Sequence, residues 1–342
     1  MRREAAIAAL TAIALGTACA GDTSLSPGAD TLAAGAKKGG GGGSGGGTGG
    51  GTTGGGGSIG SLAIFPADNP WNTDVSALPV DASSTTLLNN CGGVGKKVHP
   101  DFGTVWDGAP NGIPYIVVSG SQAKVPVSFY YADESDPGPY PIPANAPIEG
   151  GPNGTGDRHV IVIDTTNRRL YEMFDARPVN GGTSWTAGSG ATWDLTSNAL
   201  RPAGWTSADA AGLPIFPGLV RYDEAVLEGV IDHALRFTCP TTRKAYVYPA
   251  RHWASSQTSA AYPPMGMRVR LKANVDISTF PAEVRVILTA LKKYGMFVAD
   301  NGSGMFLSGA PDSRWSDGNL ATLGRLTNAD FEVVQMGAVI TP

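Results

Sequence analysis

The stretch HVIVIDTTNRRLYEMF, residues 159–174, decides the fold class. Two runs rich in β-branched and aromatic residues flank Asp164-Thr165-Thr166-Asn167, a cluster of turn formers, so the segment reads as a β-hairpin. Symmetric closure across that turn pairs Ile163 with Arg168. It also sets His159 opposite Glu172, with Ile161 and Leu170 on the same face. A histidine and a carboxylate are therefore expected to meet at the end of an apolar strip.

Similar short runs recur at 113–118, 125–131, 245–248 and 267–271, separated by connections rich in proline and glycine. That rhythm predicts a mainly-β fold, an antiparallel β-sandwich of jelly-roll or lectin-like type. Two short helices are expected within it. One covers 222–229 and opens on Asp223 and Glu224, which suit the positive end of a helix. The other covers 281–294, with Val284, Ile287, Leu288 and Leu291 on one face and Gly295 as its stop.

The first residues bear on location. Arg2 and Arg3 precede an apolar run at 5–18, and small residues lead into Cys19. This reads as a lipoprotein-type signal peptide over 1–19 with lipidation at Cys19, plain secretion being the alternative. Residues 20–58 turn polar and then almost wholly glycine, with few side chains to bury, and read as a flexible tether. A single globular domain is expected over 59–342, held as a monomer in the cell envelope or outside the cell. It would meet a membrane only through the lipid anchor. In an oxidising compartment Cys91 and Cys239 can form one disulfide, or remain two buried thiols. The net charge of -4 and the lack of a basic stripe argue against nucleic-acid binding. The chain shows no serine elbow, phosphate-cradling glycine loop, dinucleotide fingerprint or zinc-spaced cysteine pair.

Candidate chemistry rests on four histidines and a set of acids. His99, His159, His233 and His252 comprise the histidines, three of them beside an Asp or Arg. A histidine oriented by a carboxylate can act as a general base, whereas a buried one bonded to a carbonyl is structural. Glycoside hydrolysis needs two carboxyl groups flanking the scissile bond. Glu172 is the favoured member, with Asp175, Asp194 or Asp209 as its partner. The structural alternative for Glu172 is a buried pairing with Arg158 or His159. The segment RPAGWTSADAAGLPIFPGLVRYDE, residues 201–224, is a long irregular stretch of the kind that lines sites. Catalytic candidates are thus Glu172, His159, Asp209, His233 and His252. Candidates to bind substrate are Arg158, Trp205, Arg251, Trp253 and Asp300, since flat aromatic faces suit sugar rings. No metal ligands are assigned, although His159, His233 and His252 would form a metal site if their rings converged. No cofactor is expected. The acidic, proline-locked loop 133–151 reads first as a rigid surface loop and can also offer oxygen ligands to a structural calcium.

The blocks GDRHVIVIDTTNRRLYEMFDA, RPAGWTSADAAGLPIFPGLVRYDEAVLEGVIDHALRF and LTALKKYGMFVADNGS, together with residues 113–143, resemble an uncharacterised family of exported bacterial proteins. Some of its members are joined to carbohydrate-binding modules. The resemblance implies an extracellular role and a polysaccharide partner, and transfers no catalytic residue. The expected function is a tethered, carbohydrate-active enzyme, a glycoside hydrolase using paired carboxylates. The alternatives are a polysaccharide lyase with a histidine base, and a non-catalytic carbohydrate-binding or cell-envelope lipoprotein.

Overall fold

In the hairpin at 159–174, strands Val160–Asp164 and Arg169–Phe174 pair antiparallel, Asp164 facing Arg169 and Ile161 facing Glu172. The register is two residues away from symmetric closure at Ile163 and Arg168. The turn explains the difference. Asp164 Oδ1 accepts the Asn167 N–H at 2.9 Å, and Arg168 takes a left-handed φ of 52°. These fix a turn over 165–168 rather than 164–167. His159 therefore lies beside Phe174 (ring centroids 6.0 Å apart) and not directly opposite Glu172. A shift of two keeps every side chain on its expected face.

The computed structural model describes residues 59–60 and 62–342. The signal peptide, Cys19 and the whole of the tether lie outside the described residues. The fold is mainly β. The hairpin belongs to a four-stranded sheet, ordered Ser189–Asp194, Arg169–Phe174, Val160–Asp164, Tyr115–Val118. Alternation sends its two faces into different cores. Ile161, Ile163, Leu170 and Trp193 join the larger core, while Val160, Val162, Tyr171 and Met173 join a smaller one. The smaller core is closed by Trp185 and Ala187 of a three-stranded sheet made of Val127–Phe129, Ser184–Ala187 and Arg177–Val179.

The larger core is built on a six-stranded sheet. Its order is His99–Asp101, Phe306–Ser308, Leu235–Cys239, Met296–Asn301, Arg268–Leu271, Phe331–Val333. The sheets are mixed rather than antiparallel throughout. His99–Asp101 runs parallel to Phe306–Ser308, Leu235–Cys239 to Met296–Asn301, Tyr115–Val118 to Val160–Asp164, and Val127–Phe129 to Ser184–Ala187. Each parallel pair is joined by a long connection, as parallel strands require. One such connection carries the helix Ala282–Lys293, which buries Val284, Ile287, Leu288 and Leu291. Gly295 follows it at φ 66°, a left-handed position that ends the helix at little steric cost.

The other expected helix, Asp223–Glu228, is a wider π-type turn closed by Gly229 at φ 71°. Short helices at Ser84–Asn89 and Asp317–Leu320 add to the two expected. No helix among the described residues is long and apolar enough to cross a membrane. Cys91 and Cys239 are disulfide-bonded, Cα to Cα 4.7 Å, and tie the chain ahead of the first strand to the centre of the large sheet.

Candidate functional site

A row of polar residues crosses one face of the large sheet. Asp101 stands opposite Ser308 in the register of neighbouring strands. Arg236 Nη1 donates to Ser308 Oγ at 2.7 Å, and Arg236 is buried. Side chains level with one another across strands share a face, so the three line up. A β-bulge between Phe237 and Thr238 then sets Thr238 level with Asp300 rather than Ala299. Bulges re-aim side chains. This one turns Asp300 onto the face of Arg236.

The irregular segment 205–216 packs over this row, and its bonds come from all sides. Asp209 Oδ1 accepts from Arg236 Nη2 at 3.0 Å. Asp209 is sealed from water, and its Oδ2 has no hydrogen-bond partner among the described residues. His159 Nε2 meets the Ala208 carbonyl at 3.0 Å, and His252 Nδ1 meets the Ala210 carbonyl at 2.8 Å. Two imidazoles thus grip the carbonyls of the residues on either side of Asp209. The Ala211 N–H donates to the Ala299 carbonyl at 2.9 Å, which sets the segment beside Asp300.

Electrostatics follow from this crowding. Burial and the Asp209 carboxylate push the Asp300 carboxyl well above the usual carboxylate range, although Arg236 pulls the other way. Burial also raises Asp209 against the pull of Arg236. Asp101 is raised by burial and by nearby Glu149. His159 behaves oppositely. Burial would lower it, but Glu149, with Oε2 2.6 Å from Nδ1, holds it at about 9. Both ring nitrogens face acceptors, the arrangement of an imidazolium. Asp157 completes the cluster, acting on Asp101, His159 and Asp300.

Glu172 takes the structural role. It has no exposed surface, and its carboxyl accepts the N–H groups of Ile215 at 2.9 Å and Phe216 at 2.8 Å. Burial pushes it up to about 7, against those two bonds. It anchors the segment that carries Asp209 and is closed to substrate. His233 belongs to another group. Its Nε2 lies 3.2 Å from Glu224, which is ion-paired to Arg221, beside a cavity of about 540 Å³. His159, His233 and His252 do not converge. Among the described residues no three His, Cys, Asp or Glu side chains are grouped to hold a metal ion.

The expected substrate-binding residues scatter. Arg158 folds back onto the carbonyls of Gly154 at 2.6 Å and Ala176 at 3.3 Å. Arg251 Nε donates to the Arg201 carbonyl at 2.9 Å. Trp205 lies under the Arg201 guanidinium, 5.6 Å from its ring centre. Trp253 stacks on His252 at 5.4 Å and on Tyr246 at 6.2 Å, beside the gripped segment. Of this set Asp300 alone joins the acid cluster. Asp175 and Asp194 sit on the surface, paired with Arg177 and Arg169. In the acidic loop, Asp136 bonds Arg201 at 2.6 Å and Glu134 accepts the Thr206 N–H at 3.0 Å.

Sequence reasoning missed Arg236, Glu149, Asp101, Asp157 and Ser308. One signal was present for Arg236: a lone charge inside the apolar run Ala234-Leu235-Arg236-Phe237. A cation there needs a buried partner. Compared with protein-family models, curated proteins and solved structures, the chain finds no match in any of the three.

Proposed function

We propose that the protein is an exported enzyme that hydrolyses glycosidic bonds of a polysaccharide. Asp300 serves as general acid and Asp101 as the second carboxyl, set across Arg236. One observation carries the reading: Asp300, half-buried at the edge of the cluster, is held protonated towards neutral pH by burial and by the sealed charge of Asp209. A protonated carboxyl sharing a site with a second acid is the arrangement that glycoside hydrolysis uses. Asp209 works through Asp300 and does not touch substrate. Hydrolysis is favoured over elimination by a histidine base, because His233 stands outside the acid cluster with both ring nitrogens engaged, and His252 is held through Nδ1 by the Ala210 carbonyl.

Export and anchoring through Cys19 belong to the same proposal and rest on the leader sequence. A disulfide fits an oxidising compartment. The two cores on either face of the four-stranded sheet support a layered, sandwich-type reading of the scaffold. The four parallel pairings depart from a jelly-roll or lectin-like order.

The test is to assay the purified chain on a polysaccharide panel, following new reducing ends and absorbance at about 235 nm. Reducing ends without absorbance, lost in Asp300→Asn, support the hydrolase. Absorbance at that wavelength marks a lyase. Binding without either signal marks a binding protein and overturns the enzymatic reading.

A further inference from the structure

A second hollow, about 440 Å³ in volume, opens on the three-stranded sheet and is lined by Phe129, Tyr130, Tyr131, Phe174, Asp175 and Arg177 among others. Tyr130 is 82 % exposed, and its ring meets Tyr131 edge-on with centroids 4.8 Å apart. Such an aromatic surface loses water favourably only when something flat and partly apolar covers it. At its rim Asp175 and Arg177 hold each other at 2.6 Å on the surface. The pair sets acceptors and donors side by side, the pattern that neighbouring hydroxyl groups satisfy.

The hollow adjoins the acid cluster. Phe174, in its wall, packs against the His159 ring. The Asp175 N–H donates to the Asp157 carbonyl at 2.7 Å, and Asp157 acts on both Asp101 and Asp300. The backbone of Asp157 thus links the wall of the hollow to the acid cluster.

We infer that this hollow is a subsite for neutral sugar rings of the same polysaccharide chain that Asp300 cleaves. The inference rests on the hydrolase reading and adds a substrate class. Asp175 and Arg177 cancel in charge, so the rim of the hollow offers no net positive charge to the carboxylates of a uronate polymer. The substrate is a neutral glycan long enough to reach from the acids to the tyrosines.

The experiment measures calorimetric binding of cellohexaose, xylohexaose, maltohexaose and hexagalacturonate to the full chain carrying Asp300→Asn, which prevents turnover. At least one neutral hexasaccharide should bind. Tyr130→Ala should weaken it about tenfold, as loss of a central aromatic anchor does, with Arg177→Ala acting in the same direction. Unchanged melting would show that both variants fold. Neutral binding indifferent to both changes, no neutral binding, or tighter binding of hexagalacturonate would overturn the subsite. Turnover by the unmodified chain without tyrosine-dependent binding would sink the subsite alone. Tyrosine-dependent binding without turnover would sink the hydrolase alone.

Discussion

His159 and Glu149 are locked together, Nδ1 to Oε2 at 2.6 Å, with the ring almost wholly buried. The pair ties the acidic loop to the four-stranded sheet at the edge of the acid cluster. The His159 pKa stands at about 9 in the folded chain, against about 6.5 when unfolded. A raised histidine stabilises fully below its unfolded value, and that contribution is lost as pH rises through about 9. It amounts to on the order of 3 kcal/mol. The melting temperature should fall between pH 7 and pH 9.5, and the fall should shrink in His159→Gln. Equal slopes in both proteins, recorded by scanning calorimetry, would refute the protonated pair.

Asp300→Asn should separate activity from stability. Removal of a general acid lowers kcat by about 10²–10⁴-fold. The Asp300 pKa is raised, so the stability linked to it is present at low pH and lost as pH rises through the folded value. The variant should therefore melt higher than the unmodified chain at pH 8 and match it near pH 4. Asp209→Asn should do the reverse, because loss of the counter-charge of Arg236 outweighs relief of the buried Asp209 carboxylate. It leaves the Arg236 guanidinium buried without a counter-charge and destabilises by about 3–5 kcal/mol at pH 7.

Glu172→Ala should lower stability while sparing the turnover of each folded molecule. It strands the buried N–H groups of Ile215 and Phe216, each costing about 1–3 kcal/mol. Urea unfolding combined with active-site titration checks this. Lost turnover with intact unfolding would return Glu172 to the catalytic role that its position in the hairpin suggests.

Reduction of the Cys91–Cys239 bridge should be costly. The cysteines lie 148 residues apart, and releasing a loop of that length from the unfolded chain costs about 5 kcal/mol in the chain-entropy account. Cys91→Ala with Cys239→Ala should show a correspondingly lower urea midpoint with an unchanged far-ultraviolet spectrum.

Much of this fold is readable because side-chain alternation along a strand has a fixed period. The faces of the hairpin, the apolar stripe of Ala282–Lys293 and its glycine stop follow from spacing alone. Strand direction does not, since Leu235–Cys239 reads the same whether its neighbour runs parallel or antiparallel. The register slipped by two because Arg168 closes the turn in a left-handed conformation that its residue type does not announce. The partner of His159 comes from Glu149 in a loop with no periodicity, and the partner of Asp209 comes from a strand 27 residues further on. Such pairings depend on how loops drape over sheets. The importance of 201–224 was legible in its length and composition, and the inward face of Glu172 in the alternation of the hairpin; its backbone partners at Ile215 and Phe216 were not.

The imidazoles of His159 and His252 clasp the carbonyls of Ala208 and Ala210, the residues on either side of Asp209. A backbone pinned at both shoulders cannot swing when a ligand arrives. Induced fit is thus closed to this segment, and selection must act at first encounter through contours already in place. Crystals grown with and without a bound saccharide should superimpose there, leaving adaptation to the exposed tyrosines at the far end.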